Sequence, residues 1–284
     1  MGDPSAPTLV CCNGVGVSTF FWKYIAQHYK GRFNVVLWDY RGHGLSSMPV
    51  DVARADLTIE RNAKDLEAVL QNVGGGAHQP VILLGHSMGC QVILEYAKQF
   101  PTRVRAIIPM FGTFGKPLDT MLNTKYFRPV FGVIQKVAAA GGKAGMRMMR
   151  PLYASPFAFT IGTRTGLVDR YYAGRADVQN YLDHLNHMDP RVFLRMVAQM
   201  ADHDMESFLP QITAPTLVIA AEKDLFTPLH RSQTMARLIP HSELIILPEG
   251  SHAAIVEHPE TINLRIDRFL EQRVFPAVKQ ASAG

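Results

Sequence analysis

Two segments of the chain, Val81-Ile82-Leu83-Leu84 and Leu217-Val218-Ile219-Ala220, are apolar at every position rather than at alternate ones. A strand with one face in water alternates. A strand without polar positions must be covered on both faces, as in a parallel sheet held between two layers of helix. These segments lie within strand candidates Pro80 to Leu84 and Thr216 to Ala221, and four more runs rich in β-branched residues join them: Thr8 to Cys12, Asn34 to Asp39, Val104 to Met110 and Glu243 to Leu247. Helical periodicity falls between them, at about 18–29, 59–73, 88–99, 229–239 and 257–272. This alternation predicts an α/β fold, a mostly parallel sheet whose strands are joined by crossover helices.

Local signals support several of these elements. The helix from residue 59 has Thr58 as N-cap, Ile59, Leu66, Val69 and Leu70 on one face and Asp65 and Glu67 on the other. Gly74-Gly75-Gly76 marks its stop. The alternation breaks between 113 and 205, where no strand is predicted and Met146, Met148, Met149, Met188, Met196, Met200 and Met205 accompany many aromatic residues. Asp189-Pro190 opens a helix there that runs through Met200. The expected organisation is therefore one core, residues 1–112 and 206–284, carrying an inserted helical cap at 113–205. Such a cap turns one apolar face to the pocket below it, and flexible Met side chains suit a site that accepts varied apolar groups.

Composition narrows the function classes. With 47% hydrophobic and 19% charged residues the chain has ample material for a packed core, which excludes a disordered protein. No apolar run is long enough to span a bilayer, so no integral membrane segment is expected. Met1-Gly2-Asp3-Pro4-Ser5 has neither the basic nor the apolar region of an export signal, and a cytoplasmic location is the expectation. The net charge of +5 comes from residues 113–205, with twelve Lys and Arg against seven Asp and Glu, while the remainder balances at seventeen each. That excess is too dilute for nucleic-acid binding. Cys11, Cys12 and Cys90 lack metal-ligand spacing and read as buried reduced thiols.

Gly85-His86-Ser87-Met88-Gly89 is the chemical centre of the sequence. A Gly-x-Ser-x-Gly pattern alone arises by chance in roughly one chain in ten of this length, so its setting decides. The pattern carries a nucleophile when the serine sits in a strained turn between a buried strand and a helix, with glycines leaving room for the turn. The strand before Ser87 and the helical run Gln91 to Ala97 after it supply that setting.

A serine hydroxyl needs a base to take its proton and an acid to orient the base. Both should follow the carboxyl ends of later strands. Asp224 lies past the strand ending at Ala221, and His252 past the strand ending at Leu247. Glu222 is the rival acid, closer to its strand. An oxyanion hole needs two backbone N–H groups: one from Met88, after the nucleophile, and one from the Asn13-Gly14-Val15-Gly16 turn, where Val15 is preferred and Gly16 is the alternative.

Together these residues resemble the α/β-hydrolase superfamily over nearly the whole chain. Asp39-Tyr40-Arg41-Gly42-His43-Gly44-Leu45-Ser46 is similar to the loop after that family's next strand, and Pro215 to Asp224 and Gly250-Ser251-His252 resemble its acid and base segments. Two departures stand out. Asn13 occupies the place of a usual His, which should leave the Val15 donor intact but alter how the turn is held. The chain begins almost directly at the first parallel strand, where relatives usually open with antiparallel strands; either the sheet is shortened, with an exposed edge that a partner subunit in a homo-oligomer could cover, or the start has been lost or misassigned.

The resemblance implies an ester hydrolase acting on a small-molecule ester, with Ser87, His252 and Asp224 as triad, Val15 and Met88 as oxyanion donors, an acyl-enzyme intermediate and no cofactor or metal. Lactones, thioesters, perhydrolysis and carbon–carbon bonds beside a ketone are alternatives on the same constellation. A carboxylate nucleophile, as in relatives cleaving epoxides or carbon–halogen bonds, is argued against by Ser87. A ligand receptor that keeps the fold without turnover is a further reading. Asp183, His184 and His187 could bind a metal from one helix face, although a solvated polar face is the plainer reading. The basic cap could dock on an anionic lipid surface, although a solvated charged face is the plainer reading, or it could favour lipophilic or carboxylate-bearing esters.

Overall fold

The computed structural model describes residues 1–73, 79–137, 160, 163–164, 166–169 and 171–276. Six strands, β1 (Thr8–Cys12), β2 (Asn34–Leu37), β3 (Val81–His86), β4 (Val104–Met110), β5 (Thr216–Ala221) and β6 (Ser242–Leu247), form one sheet in the order β2-β1-β3-β4-β5-β6. Every neighbouring pair is parallel. The bounds of β1, β4 and β5 are those the sequence predicts. β2 stops at Leu37, two residues short, because the Trp38 carbonyl accepts a hydrogen bond from Asn13 Nδ2 and the Asp39 carboxylate turns back to accept the Thr19 N–H.

Successive residues of each strand feed opposite cores, as the pleat requires. Leu9, Cys11, Ile82 and Leu84 pack with Trp22, Ile25 and Tyr29 and with Ile262, Ile266 and Phe269, which brings α1 (Lys23–Tyr29) and the helix Pro259–Phe269 onto one face. Val10, Cys12, Val81 and Leu83 pack with Leu66, Leu70, Val92 and Ile93 on the other, under α2 (Ile59–Asn72) and α3 (Met88–Gln99). The all-apolar strands are thus covered on both sides, and the fold is the helix-flanked parallel sheet that the sequence implies.

Helix ends follow local chemistry. Thr58 caps α2 by accepting the Arg61 N–H, and Asp189 caps Pro190–Met200 by accepting that of Arg191. The proposed stop at Gly74 to Gly76 lies outside the described residues, as do Met146, Met148 and Met149. The region expected as one helix at 257–272 is broken: a single turn Ala254–Glu257 precedes Pro259–Phe269, and a wider turn follows at Leu270–Val274. Pro259 has no N–H to give and holds His258 off helical geometry, at φ −127° and ψ 48°. The helix expected at 18–29 opens as a tight turn, Thr19–Trp22, before α1.

Between 113 and 205 the described residues are helical at Pro117–Thr120, 127–137, Arg175–His187 and Pro190–Met200. The two ends of this segment meet at an antiparallel bridge between Gly115 and Asp204, supported by the Lys116–Asp204 ion pair at 2.7 Å. The chain therefore leaves and rejoins the sheet region at one place. On the outer edge of β2, Val35 exchanges two hydrogen bonds of 2.7 Å with Met1. No helix among the described residues is long and apolar enough to cross a membrane.

Candidate active site

From β1 the chain steps outward to β2, then returns to the far side of β1 and proceeds through β3 to β6. The strand order reverses between β1 and β3, and an open parallel sheet has its crevice at the carboxyl ends of strands at such a reversal. Asn13 to Gly16 follow β1 and Ser87 follows β3, so both border that crevice.

Ser87 has φ 56° and ψ −119°, a positive φ that costs a side-chain-bearing residue of order 1–3 kcal/mol. The turn is held by the Ser87 N–H donating to the Met110 carbonyl (3.1 Å) and the Cys90 N–H donating to the Ser87 carbonyl (3.0 Å). Both flanking glycines are demanded by close approach. A Cβ on Gly89 would lie 2.1 Å from the Cys12 carbonyl oxygen, and one on Gly85 2.5 Å from that of Gly89. α3 can therefore lie against the end of β1 only with glycine at 89.

The Ser87 hydroxyl is 3.0 Å from His252 Nε2, and His252 Nδ1 is 2.8 Å from Asp224 Oδ2. Three residues 28 and 165 positions apart are thereby joined in one relay. Asp224 is 2% exposed, and all its acceptor capacity is used: Oδ1 accepts the N–H groups of Phe226 and Thr227, both at 2.9 Å, and Oδ2 accepts the Thr227 hydroxyl at 2.6 Å beside His252. These bonds fix the carboxylate, and the carboxylate selects the His252 tautomer with the proton on Nδ1, leaving Nε2 to accept from Ser87. Glu222, the rival acid, is exposed and makes no bond to His252.

On the β1 side, Asn13 answers how the turn is held without a histidine. Its side chain donates to the Trp38 carbonyl (2.8 Å) and accepts from Trp22 Nε1 (2.6 Å), while its carbonyl accepts the Tyr40 hydroxyl (2.9 Å). The Gly16 N–H donates to His43 Nε2 at 3.1 Å. The Val15 N–H has no acceptor among the described residues. Met88 opens α3, and its N–H has no carbonyl one turn back to bond.

Two histidines in the quoted motifs have positions that spacing did not reveal. His86 is buried beneath His252, ring centroids 5.0 Å apart, and its Nε2–H donates to the His252 carbonyl at 2.9 Å. Burial, reinforced by neighbouring His252, pushes its pKa down to about 3. His43, 0% exposed, is lowered to about 4 by burial. Both rings therefore stay neutral at pH 7. Phe226 also lies beside His252, ring centroids 5.4 Å apart.

The relay opens into a cavity of about 420 Å³ whose wall includes Leu118, Phe131, Leu167, Leu185, Phe193 and Val197. No lysine or arginine is among its described lining residues. The carboxylate of Asp177, at the margin, is engaged by the ammonium of Lys23 and by the Tyr24 hydroxyl (3.2 Å). Segments from 117–134 and 167–200 supply most of the apolar wall, and the sheet loops supply the polar floor.

Other candidate groups behave differently. Asp183, His184 and His187 do not converge: Asp183 accepts from Gln179, His187 Nδ1 donates to the Asp183 carbonyl, and His184 stands beside Phe20. Glu60, Glu95 and His203 do approach one another, but Glu95 is already engaged by His203, Gln99 and Lys98. Cys11, Cys12 and Cys90 are buried free thiols, and burial pushes Cys12 up to about 12.

Comparison with known proteins agrees with this architecture. The chain is 28% identical over 272 residues to RutD of Stutzerimonas stutzeri, provisionally named a carbamate hydrolase, with 95% of this chain and 94% of that protein covered. It is 26% identical over 258 residues to the RutD of Escherichia coli, with 91% and 89% covered. Among solved structures, an esterase from Rhodococcus sp. ECU1013 superposes with a TM-score of 0.76 at 19% identity, over 96% of this chain and 93% of that one. A hydrolase from Pseudomonas aeruginosa PA01 gives 0.75 at 22% identity, over 95% and 92%. The family profile described as the alpha/beta hydrolase fold matches residues 7–259, and the chain belongs to that family.

Proposed function

We propose that the protein is a serine hydrolase that cleaves carboxylic esters with an apolar acyl or alcohol part. The observation that carries this reading is the relay from Ser87 through His252 to Asp224, with its hydroxyl end in an apolar cavity of about 420 Å³. His252 takes the Ser87 proton as Oγ attacks the ester carbonyl, and Asp224 stabilises the imidazolium. The N–H groups of Val15 and Met88 receive the developing oxyanion; Gly16 is set aside because its N–H is given to His43. Collapse of the tetrahedral intermediate breaks the carbon–oxygen bond, and the alcohol leaves with the proton from His252. Water activated by the same imidazole then releases the acid from Ser87. Residues 113–205 act as the cap that selects the substrate.

The names of the RutD relatives suggest a second reading, hydrolysis of a carbamate. A small anion would have to lose its hydration in a cavity where no described lysine or arginine compensates it, which costs several kcal/mol. Apolar esters fit the wall better. The test is turnover of p-nitrophenyl esters from acetate to octanoate, together with lactones, thioesters, β-diketones, peroxide-dependent halogenation and carbamate, by wild type and Ser87→Ala. The reading expects the longer esters to be preferred and Ser87→Ala to lose on the order of 10⁶ in kcat. Retention of most esterase activity by Ser87→Ala would overturn the mechanism. Turnover of carbamate alone would replace the ester, and no turnover of any kind would favour a receptor.

A further inference from the structure

Glu257 is a buried carboxylate that the relay does not use. It stands at the end of the single turn Ala254–Glu257, 8% exposed, and no lysine or arginine among the described residues pairs with it. Burial raises its pKa, against the hydrogen bonds it accepts. Three donors converge on it. Oε1 accepts the Ser251 hydroxyl and the Asp169 N–H, both at 2.6 Å, and Oε2 accepts the Ser251 N–H at 3.2 Å. Two of these belong to the residue preceding His252. The third belongs to the far segment 166–169, in which Leu167 and Val168 form part of the cavity wall.

That segment also meets the relay directly. The His252 N–H donates to the Gly166 carbonyl at 2.9 Å. Gly166 has φ 68°, and a Cβ there would lie 2.0 Å from the Lys223 carbonyl oxygen, next to Asp224. Residues 166–169 are thus pressed between the loop of the acid and the loop of the base. A buried carboxylate with no cationic partner among the described residues is costly to the fold, and an apolar side chain would fill the same space without that penalty. Such a side chain could not hold the donors: Oε1 bridges the two segments by accepting from Asp169 and from the Ser251 hydroxyl, and Oε2 fastens the Ser251 backbone as well.

We propose that Glu257 is a positioning residue whose carboxylate ties the 166–169 segment of the cavity wall to the Ser251-His252 turn. The seat of the substrate's apolar part and the aim of the His252 imidazole are thereby set together. This rests on the ester-hydrolase reading above, but its structural half is measurable without turnover.

Glu257→Gln tests it, because the amide keeps the shape while turning one acceptor oxygen into a donor. With p-nitrophenyl acetate and octanoate, kcat should fall about 10- to 100-fold for both esters, the scale of a misplaced catalytic group. KM should rise several-fold for octanoate alone. Amide hydrogen exchange should quicken in residues 166–169 and 250–253 together. Should Glu257→Gln fail to fold, Ser251→Ala removes one donor and keeps the carboxylate. It should give the same pattern at about 3- to 10-fold, from loss of the short bond to Glu257, with the weaker contact to the Leu167 carbonyl and the bond from the Ala253 N–H lost alongside it. Wild-type kcat for both esters, or faster exchange confined to 166–169, would overturn the proposal, since Glu257 would then brace the wall alone. Activity retained in Ser87→Ala would instead remove the ester-hydrolase reading and leave the exchange result to stand on its own.

Discussion

The Gly16 N–H donates to His43 Nε2 across 3.1 Å, and this bond takes Gly16 out of the open donors in the turn after β1, while the Val15 N–H keeps no acceptor among the described residues. His43 can accept only while neutral, with its Nδ1–H directed to the Arg41 carbonyl 3.3 Å away. His43→Leu would strand the buried Gly16 N–H, at about 1–3 kcal/mol of stability, and let the turn swing. In the proposed mechanism kcat then falls about 10- to 100-fold with KM little changed, less than the 10²–10³ for removing an oxyanion donor outright. Steady-state kinetics on p-nitrophenyl butyrate checks this. An unchanged kcat in a folded His43→Leu protein would detach the turn from catalysis.

The same neutral rings predict an acid limit to stability. An imidazole titrates near 6.5 in the unfolded chain, whereas burial lowers His43 to about 4 and His86 to about 3 in the folded protein. Between those values the unfolded state binds more protons. The stabilisation is therefore complete above about pH 6.5 and is lost as pH falls toward 4 for His43 and 3 for His86. Each ring contributes a slope of about 1.4 kcal/mol per pH unit within its window. Urea midpoints measured from pH 7 to 4.5 should fall steeply, and His43→Gln should flatten the slope by one histidine.

The strain at Ser87 predicts a stability gain from an inactive variant. A positive φ is open to glycine without a Cβ penalty, and the relief, of order 1–3 kcal/mol, exceeds the roughly 0.5–1 kcal/mol of extra chain entropy that glycine loses on folding. Ser87→Ala keeps the strain. Ser87→Gly should therefore melt above Ser87→Ala by several degrees, with both inactive if Ser87 is the nucleophile. Equal melting temperatures would mean that φ 56° carries no strain here.

How much of this was legible in the sequence depends on the range of the interaction. The strands could be read because Val81 to Leu84 and Leu217 to Ala220 are apolar throughout, and the α3 bounds because Gly89 and the following run are local signals. Asp224 and His252 could be placed past strand ends by order alone. Distance past the strand end favours Asp224 over Glu222, and geometry separates them outright: Asp224 is buried and bonded to Thr227 while Glu222 is exposed. The partnerships of His43 with Gly16 and of His86 with His252 span 27 and 166 residues, and no periodicity or turn signal encodes them. Pro259 lies inside a helical period that runs over 257–272, so the longer pattern hides the break that the proline imposes. Helix Arg175–His187 has no separate signature in the sequence, because its polar face and lower apolar content blur the 3.6-residue period.

The cavity wall predicts which esters are turned over. Each methylene that moves from water into apolar surroundings is worth about 0.8 kcal/mol, a factor of about four in kcat/KM when it is fully buried in the transition state. Extending the acyl chain from acetate should raise kcat/KM by up to that factor per carbon until about 420 Å³ is filled, and then the gain should stop. A carboxylate at the chain end should reverse the gain. No described lysine or arginine lines the cavity, and Lys23, the cation near the lining carboxylate of Asp177, is already paired with it. A p-nitrophenyl monosuccinate should therefore react at least about 100-fold more slowly than the butyrate, the consequence of desolvating an unpaired charge. Measuring kcat/KM across acetate, butyrate, hexanoate, octanoate and monosuccinate decides the matter. A flat series, or a preference for the monosuccinate, would place the acyl group outside this cavity and assign the apolar wall to the alcohol.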